Sequence, residues 1–330
     1  MATVLVVGAQ GCLGTILVDE LSQRGWNVLR GGRHPDSSDD FRLIDLDEPS
    51  TWNLALVDVD IVISTVPHPE LPLERHILES GGLLLSPATI PRSSLQKLTT
   101  SAGSARGTVI PHAGLTPGLG TLLAAELLNS HPHAAEIAIG ITFSGLGTAG
   151  GEGAKWTFGH FAEGARSKRR MVRLPPPMNN RSCGTKNLAN EGWLADDRWP
   201  PVQRLEFCMA EKPVDLMLRG LARLHFLPLY ARLHVLAFGK RRPVATDEQI
   251  FHWASVREPS GLEEGLLISA RGDYRSTAIA SVIFAEFLWP RAARSELAPG
   301  LVRIQDVLKL NDVKDTFEER GISIRNWKPR

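Results

Sequence analysis

The sequence is poor in cysteine and has no long apolar run. Its three cysteines, Cys12, Cys183 and Cys208, form no CxxC pair, which argues against a disulfide framework and a cysteine-ligated metal site. No apolar run reaches the length of about 18 residues that a membrane-spanning helix needs. The N-terminus lacks the basic and apolar regions of a signal peptide. We therefore expect a cytoplasmic protein without a membrane as partner.

Charge and tyrosine content exclude further classes of protein. Lys and Arg number 37 against 36 Asp and Glu, so neither nucleic acid nor an anionic surface is an expected partner. Only two tyrosines occur, Tyr230 and Tyr274, and neither has a lysine four residues later, which excludes the tyrosine-lysine pair of short-chain dehydrogenases. The histidines lack the spacing of a zinc site. A small-molecule ligand remains, and 330 residues suffice for two domains.

The N-terminal segment carries the strongest functional signal. The apolar run Val4–Val7 leads into three glycines spaced three residues apart, and a helical pattern follows. This is the strand, turn and helix of a dinucleotide site, in which glycines allow a sharp turn, close approach to the pyrophosphate and tight helix packing. The residues predicted at the pyrophosphate are Gly8, Gln10, Gly11, Cys12, Leu13 and Gly14.

The end of the second predicted strand indicates which dinucleotide binds. No acidic residue stands there to contact a ribose 2′-hydroxyl; Arg30, Arg33 and His34 occupy the region instead. A guanidinium pairs well with a 2′-phosphate, so we interpret Arg33 as the phosphate ligand and Arg30 as stacking on the adenine. The alternative is an exposed basic loop. NADP is favoured over NAD as the cofactor.

Strands and helices then alternate, which predicts a parallel doubly wound sheet. A third strand ends at Asp45, which is expected at the adenine amino group or, alternatively, in a local capping role. Further strands are predicted at 60–64, 82–85 and 107–110. Because ligands collect at the carboxyl ends of such strands, the nicotinamide ribose is expected beside Ser64, Thr65, Val66 and Pro67.

Beyond residue 121 the pattern changes to that of an α+β domain. Strands are predicted at 137–143, 202–209, 214–218, 233–238 and 265–271, and a helix near 246–256. A glycine-rich loop with Gly145, Gly147 and Gly150 precedes Lys155 and Trp156. These two residues and Arg181 are candidates for binding an anionic substrate.

Two segments of this second region allow more than one interpretation. The basic run from Arg166 to Arg173 is interpreted as a solvated loop or a mobile lid. The segment Leu221–Phe238 is apolar with interspersed arginine and histidine. Its Pro228 and mixed spacing favour a core or dimer interface over a membrane-surface element.

Several motifs occur in an order that resembles one family. The glycine triplet is followed by Gly31-Gly32-Arg33, by Asp60–Pro67, by Ala113–Gly118 and finally by Arg320-Gly321-Ile322. This order resembles the saccharopine dehydrogenase-like NAD(P)-dependent oxidoreductases. The resemblance implies a Rossmann domain of residues 1–130 completed by C-terminal helices of 273–330, an inserted α+β substrate and dimerisation domain of residues 131–272, and a homodimer.

One departure from the family limits what carries over. Thr116 stands where many members that handle amino-acid imines have an acid. His68 and His112, after the fourth and sixth strands, are the predicted proton donors, with histidines held by local backbone groups as the alternative. Thr116 is expected to bind substrate or cap a helix. The predicted function is an NADPH-dependent reductase acting on a C=N, C=O or activated C=C bond in a biosynthetic pathway; the alternative is a non-catalytic NADP-binding sensor.

Overall fold

A computed structural model describes residues 2–35, 37–101, 105–143, 151–164, 167–188, 199–238 and 248–329. The chain divides into two compact units. The first contains Met1–Leu122 and Thr277–Thr316, and the second contains Leu123–Ala189, Leu194–Ser276 and Phe317–Arg330. The predicted loop glycines Gly145, Gly147 and Gly150, and Arg166 of the basic run, lie outside the described residues.

The described residues form strands and helices throughout both units. The strands are β1 Thr3–Val7, β2 Asn27–Gly32, β3 Phe41–Leu43, β4 Ile61–Ser64, β5 Leu83–Ser86, β6 Thr108–Pro111, β7 Glu136–Phe143, β8 Arg169–Arg173, β9 Asn180–Asn187, β10 Val202–Met209, β11 Gln249–Arg257, β12 Glu263–Arg271, β13 Gly300–Leu301 and β14 Ser323–Trp327. The helices are α1 Cys12–Ser22, α2 Trp52–Ala55, α3 Pro72–Ser80, α4 Arg92–Ser101, α5 Gly120–Ser130, α6 Gly151–Glu163, α7 Lys212–Arg223, α8 Leu227–Phe238, α9 Asp273–Ala293, α10 Ile304–Val307 and α11 Leu310–Glu319. Single turns of other helix types occur at Pro49–Thr51 and Leu115–Leu119.

The first unit is built on a parallel sheet with the strand order β3-β2-β1-β4-β5-β6-β13. Strands β4, β5 and β6 are buried along their whole length, as expected for parallel strands covered on both faces. The order of the first six strands is that of the Rossmann fold, so the predicted doubly wound sheet is confirmed. Val7 pairs with both Gly31 and Ser64, which brings the carboxyl ends of β1, β2 and β4 together.

Residues from the C-terminal part of the chain complete this unit. Ser281 of α9 donates its hydroxyl to the Ala113 carbonyl oxygen at 2.8 Å. Trp289 packs edge-on against Trp26, with ring centroids 6.3 Å apart. Strand β13 pairs with β6, so a segment far along the chain forms one edge of the sheet.

The second unit contains a mixed sheet with the order β14-β12-β11-β7-β10-β9-β8. Strands β7 and β10 are parallel and their other neighbours are antiparallel. Phe143, the last residue of β7, lies opposite Met209, the last residue of β10. The α+β fold class predicted for the second domain is confirmed.

Three predictions of local structure in this unit are wrong. The segments 214–218 and 233–238 lie in helices α7 and α8, and the predicted helix near 246–256 is strand β11. The cause in β11 is that nearly every residue is buried, so polar and apolar residues do not alternate. In α7 the inward residues recur at helical spacing, with Asp215, Leu218 and Ala222 buried, a period that a five-residue window does not reveal.

The predicted domain boundaries also need a correction. Residues 317–330, expected in the Rossmann domain, fall in the second unit, as do residues 123–130. The reason is strand β14, which pairs with β12 through Ile324 opposite Ile268 and thereby forms an edge of the second sheet. In the part of the chain that the structure describes, no helix has the length and apolar character needed to span a membrane.

Candidate functional site

Three glycines determine the conformation of the loop between β1 and α1. Gly8 has a φ of +82°, and a Cβ there would lie 2.6 Å from the Thr65 hydroxyl oxygen. A Cβ on Gly14 would lie only 2.0 Å from the Gly8 carbonyl oxygen. Gly11 is in an extended conformation, and a Cβ there would meet only the Gly8 oxygen, at 3.1 Å. Gly8 and Gly14 therefore make the tight turn, while Gly11 leaves its side of the loop open.

The N-terminus of helix α1 has the properties of an anion site. Gly11 precedes the helix without a side-chain capping hydrogen bond, and the first turn contains no acidic residue. The first intrahelical donor is the Thr15 amide, which leaves the amides of Cys12, Leu13 and Gly14 without a helical acceptor. Burial raises the pKa of the Cys12 thiol, so this side chain adds no negative charge. The amides and the helix dipole together favour a phosphate group.

The residues predicted beside the nicotinamide ribose lie next to this loop. Thr65 donates its amide and its hydroxyl to the Val7 carbonyl oxygen, both at 3.0 Å. Ser64 is buried, and its hydroxyl has no hydrogen-bond partner among the described residues. Val66 approaches Gly8 closely enough that a Cβ on that glycine would lie 2.6 Å from it, and Pro67 is exposed. The structure thus brings the β1 and β4 loops together at the point where the strand order reverses.

The end of β2 presents basic groups of two kinds. Arg33 and His34 are exposed beyond Gly32, and Arg33 forms no ion pair with any described residue. Arg30 is half-buried, and its guanidinium donates to the Ser38 hydroxyl at 3.3 Å. The Gln10 amide donates to the His34 carbonyl oxygen at 3.1 Å, which links this loop to the glycine turn. Arg33 is therefore the guanidinium with access to a ligand here.

Asp45, predicted at the adenine, is engaged in a local turn. Its carboxylate accepts the Asp47 amide at 3.1 Å, and its carbonyl oxygen accepts the Trp52 indole at 2.7 Å. The first of these contacts forms an Asx turn, and the adenine contact of Asp45 stays a prediction.

His112 is buried and held by backbone groups. Its Nε2 accepts a hydrogen bond from the Ile90 amide at 3.1 Å, and burial lowers its pKa to about 4. Burial therefore favours the neutral ring near pH 7, and the role of His112 as a proton donor stays a prediction. Its physical role in the structure is to connect the β6 loop with the segment after β5.

His68 and Thr116 are likewise engaged within the fold. His68 Nδ1 accepts the Glu70 amide at 3.2 Å, so the proton resides on Nε2, which lies 3.2 Å from Asp47 Oδ1. Thr116 is half-buried in the turn before α5. A Cβ on Gly120 would lie 2.9 Å from the Thr116 hydroxyl oxygen, so that hydroxyl lies against the first turn of α5.

In the second unit, the predicted substrate residues occupy different environments. Lys155 is exposed on α6, and Trp156 packs against His160 with centroids 4.5 Å apart. Arg181 lies on β9 and is only 8% exposed. Its Nη2 donates to the Ala210 carbonyl oxygen, whereas Nε and Nη1 have no hydrogen-bond partner among the described residues. A buried guanidinium with two unused nitrogens is an anion-binding group.

Two acidic groups were missed by the sequence reasoning. Glu211 directly follows Ala210, and burial together with a hydrogen bond to Glu248 raises its pKa to about 7, against the opposing charge of Arg181. Glu74, in the first turn of α3, is 3% exposed, and burial raises its pKa to about 7. Both groups therefore hold a proton near neutral pH. The only sequence signal for Glu211 is its position immediately after a strand.

Comparison with known proteins agrees with the architecture. No protein-family model matches the chain, and no curated protein matches it in sequence. Among solved structures, apo saccharopine dehydrogenase (L-Glu forming) from Saccharomyces cerevisiae matches with a TM-score of 0.62 and 12% identity, covering 99% of this chain and 100% of that one. A meso-DAP dehydrogenase mutant from Clostridium tetani matches with a TM-score of 0.47 and 10% identity, covering 93% and 95%. The chain has the two-domain fold of the saccharopine dehydrogenase-like NAD(P)-dependent oxidoreductases.

Proposed function

We propose that the protein is an NADPH-dependent oxidoreductase that reduces a C=N, C=O or activated C=C bond of a small molecule. The observation that carries this proposal is the uncapped N-terminus of α1 behind the glycine turn, at the reversal point of the parallel strand order. An exposed Arg33 at the end of β2 adds the preference for a 2′-phosphate. The fold of the solved dehydrogenase supports the same reaction class.

The residues of the first unit that would hold such a cofactor lie in the glycine turn and at the end of β4. The amides of Cys12, Leu13 and Gly14 would hold the pyrophosphate, and Ser64 to Pro67 would contact the nicotinamide ribose. The buried Ser64 hydroxyl lacks a partner among the described residues, as expected for a group that hydrogen-bonds a ligand. When bound, the cofactor supplies hydride chemistry, while the protein supplies orientation and the proton.

Substrate recognition is assigned to the second unit. Arg181 offers two buried nitrogens to an anionic group of the substrate, and Glu211 beside it holds a proton at neutral pH. His112 stays a predicted proton donor, because a ring that burial keeps neutral still carries one N–H. Lys155 and Trp156 stay predicted substrate contacts, and His68 and Thr116 stay predicted site residues.

The experiment that tests the proposal separates the two cofactors. Arg33→Ala should weaken NADPH binding tenfold or more and leave NADH binding nearly unchanged, since a charge-assisted contact contributes about 1.5–3 kcal/mol. Arg75→Ala, which removes an exposed arginine from α3, is the matched control and should change neither affinity. Titration of nicotinamide fluorescence measures both constants. Equal losses for both cofactors in Arg33→Ala would reject the 2′-phosphate assignment. A wild-type protein that binds neither NADPH nor NADH would reject the proposed function.

The homodimer and the cytoplasmic location stay predictions. Light scattering of the purified protein measures the first, and cell fractionation the second.

A further inference from the structure

Helices α7 and α8 carry a cluster of exposed apolar side chains. Among the described residues, seven of the thirteen exposed large apolar side chains lie between Leu216 and Leu236. The other six are scattered along the chain. Such a concentration on a folded surface marks a site of interaction.

The geometry of α8 puts its apolar residues on two opposite faces. Tyr230 and His234 face inward and pack edge-on against Phe158 of α6, at centroid distances of 5.7 and 5.4 Å. Leu229, Leu233 and Leu236 recur at helical spacing on the other side and are 58%, 57% and 73% exposed. A helix that is apolar all round needs a partner on its outer face. The core interpretation of Leu221–Phe238 agrees with the inward face alone, and the dimer-interface interpretation of the outer face stays a prediction.

The connection between the helices extends the same surface. Leu224 and Phe226 are both more than half exposed, and Leu216 adds an exposed apolar residue on α7. Backbone hydrogen bonds from the Phe226 amide to Leu221 and from the Tyr230 amide to Phe226 hold the connection in place. We call the exposed residues Leu216, Leu224, Phe226, Leu229, Leu233 and Leu236 the α7–α8 apolar surface.

The exposed charged residues of α7 and α8 are basic. Lys212, Arg223 and Arg232 are exposed, and Asp215 is the only acidic residue in the sequence from 212 to 238. Asp215 is buried and already bound by Arg219, with Nε to Oδ2 at 2.5 Å and Nη2 to Oδ1 at 3.0 Å. Burial lowers the pKa of the nearby Arg169 guanidinium, and the positive charges of Arg219 and Arg223 lower it further. Positive charge is thus in excess beside the apolar surface.

We propose that the α7–α8 apolar surface binds the surface of an anionic lipid bilayer, with its leucines and Phe226 at the acyl boundary and Arg223 and Arg232 at the headgroups. Exposed leucines interspersed with arginine are the composition of helices that lie in the membrane interface. A second copy of the chain is the less favourable occupant, because a two-fold contact would place the same cationic surface against itself with no acid to neutralise it. The proposal is independent of the cofactor assignment.

The test measures sedimentation of the full chain with vesicles. Wild type should bind vesicles of equal parts phosphatidylglycerol and phosphatidylcholine, and bind pure phosphatidylcholine at least tenfold more weakly. Leu233→Glu/Leu236→Glu should abolish binding, and Arg223→Gln/Arg232→Gln should weaken it roughly tenfold or more at low salt. Leu54→Glu, an equally exposed leucine in the first unit, is the control and should bind like wild type.

Light scattering on the same proteins decides between the occupants. A wild type that binds no anionic vesicle and is a dimer, and that becomes monomeric in Leu233→Glu/Leu236→Glu, would overturn the proposal in favour of a second copy. A monomer that binds no vesicle would overturn it as well. Unchanged NADPH affinity in the leucine variant would show that its first unit is folded.

Discussion

The two sheets of the molecule differ in what their interiors contain. In the first sheet the buried strand residues are almost all apolar, and backbone approaches backbone at the glycine turn. In the second sheet a charged group lies inside: Arg170 pairs with Glu206 at 2.7 Å and also with Glu263, and the Trp253 indole donates to Glu206 at 3.0 Å. The first unit is stabilised by close apolar contact, and the second includes a buried network of ion pairs.

This difference tells where each unit tolerates change. A buried ion pair is destabilising when one partner is removed, but it adds little net stability over an apolar core. A glycine turn tolerates no added atom where the backbone is in contact, because no side chain can move away. The first unit should therefore be sensitive at Gly8 and Gly14, whereas the second should be sensitive at Gly140, where a Cβ would meet Trp253, and should tolerate added atoms where space is open.

The largest expected effect is on the glycine turn of the first unit. Gly14→Ala places a Cβ 2.0 Å from the Gly8 carbonyl oxygen, so the free energy of unfolding should fall by about 3 kcal/mol or more. Urea denaturation measures it. Gly11→Ala is the matched control, since its Cβ meets the same oxygen at 3.1 Å; it should cost less stability and mainly weaken NADPH binding. Equal stability losses in the two variants would contradict the separate tasks assigned to these glycines.

A second comparison uses the buried carboxyl group Glu74. Its folded pKa of about 7 lies above the unfolded value, so the folded state binds more protons between about pH 4.5 and 7, and stability falls as pH rises through that range. Glu74→Gln removes this penalty and should raise the free energy of unfolding by about 2–3 kcal/mol at pH 8, with little gain at pH 4. Glu79→Gln, exposed on the same helix, is the control.

The outcome at Glu74 also sharpens the contrast with Glu211. Glu211 is less buried and has Arg181 and Glu248 beside it, so Glu211→Gln should give a smaller gain in stability. A gain in Glu74→Gln that does not change with pH would mean that the pKa of Glu74 is the same in the folded and unfolded states.

The smallest expected effect is at a glycine of the second unit. No heavy atom lies within 4 Å of a Cβ built on Gly159 in α6, and alanine is the better helix former. Gly159→Ala should therefore raise the free energy of unfolding by about 0.5–1 kcal/mol. Thermal and urea unfolding measure it, beside Gly14→Ala. A loss of stability at Gly159 would reject the open environment of this residue.

The first sheet was predictable from sequence because its signals are local. Short apolar runs such as Ile61–Ser64 end in turn residues, and each run by itself predicts a buried parallel strand. The second sheet was less predictable because β11 is buried on both faces and so shows no period of two. The exposed leucines of α8 likewise obscure the helical period of its buried residues in the sequence. Strand β14 depends on pairing with β12, which no nearby residue encodes.

The features of the candidate site also differ in whether a local sequence signal predicts them. The glycine turn and Arg33 were predicted because a fixed spacing after a strand carries the geometry. The protonation of His112 was not, because it depends on burial and on the Ile90 backbone. The pKa of Glu211 is raised by burial and by a hydrogen bond with Glu248, a residue far from it in the sequence. Protonation near neutrality is a property of packing and cannot be inferred from the type of residue alone.

The late strands β13 and β14 have a consequence for protein synthesis. Each forms an edge of a different sheet, and both follow residue 299. While a ribosome is still making the chain, β6 and β12 present unpaired hydrogen-bonding edges, which are the surfaces from which chains aggregate. The first sheet lacks one edge strand until residue 301 has left the exit tunnel, and the second sheet lacks one until residue 327 has left it. Slower translation of the last codons would therefore prolong the exposure of two edges at once, and nascent chains would depend most on chaperones at that stage.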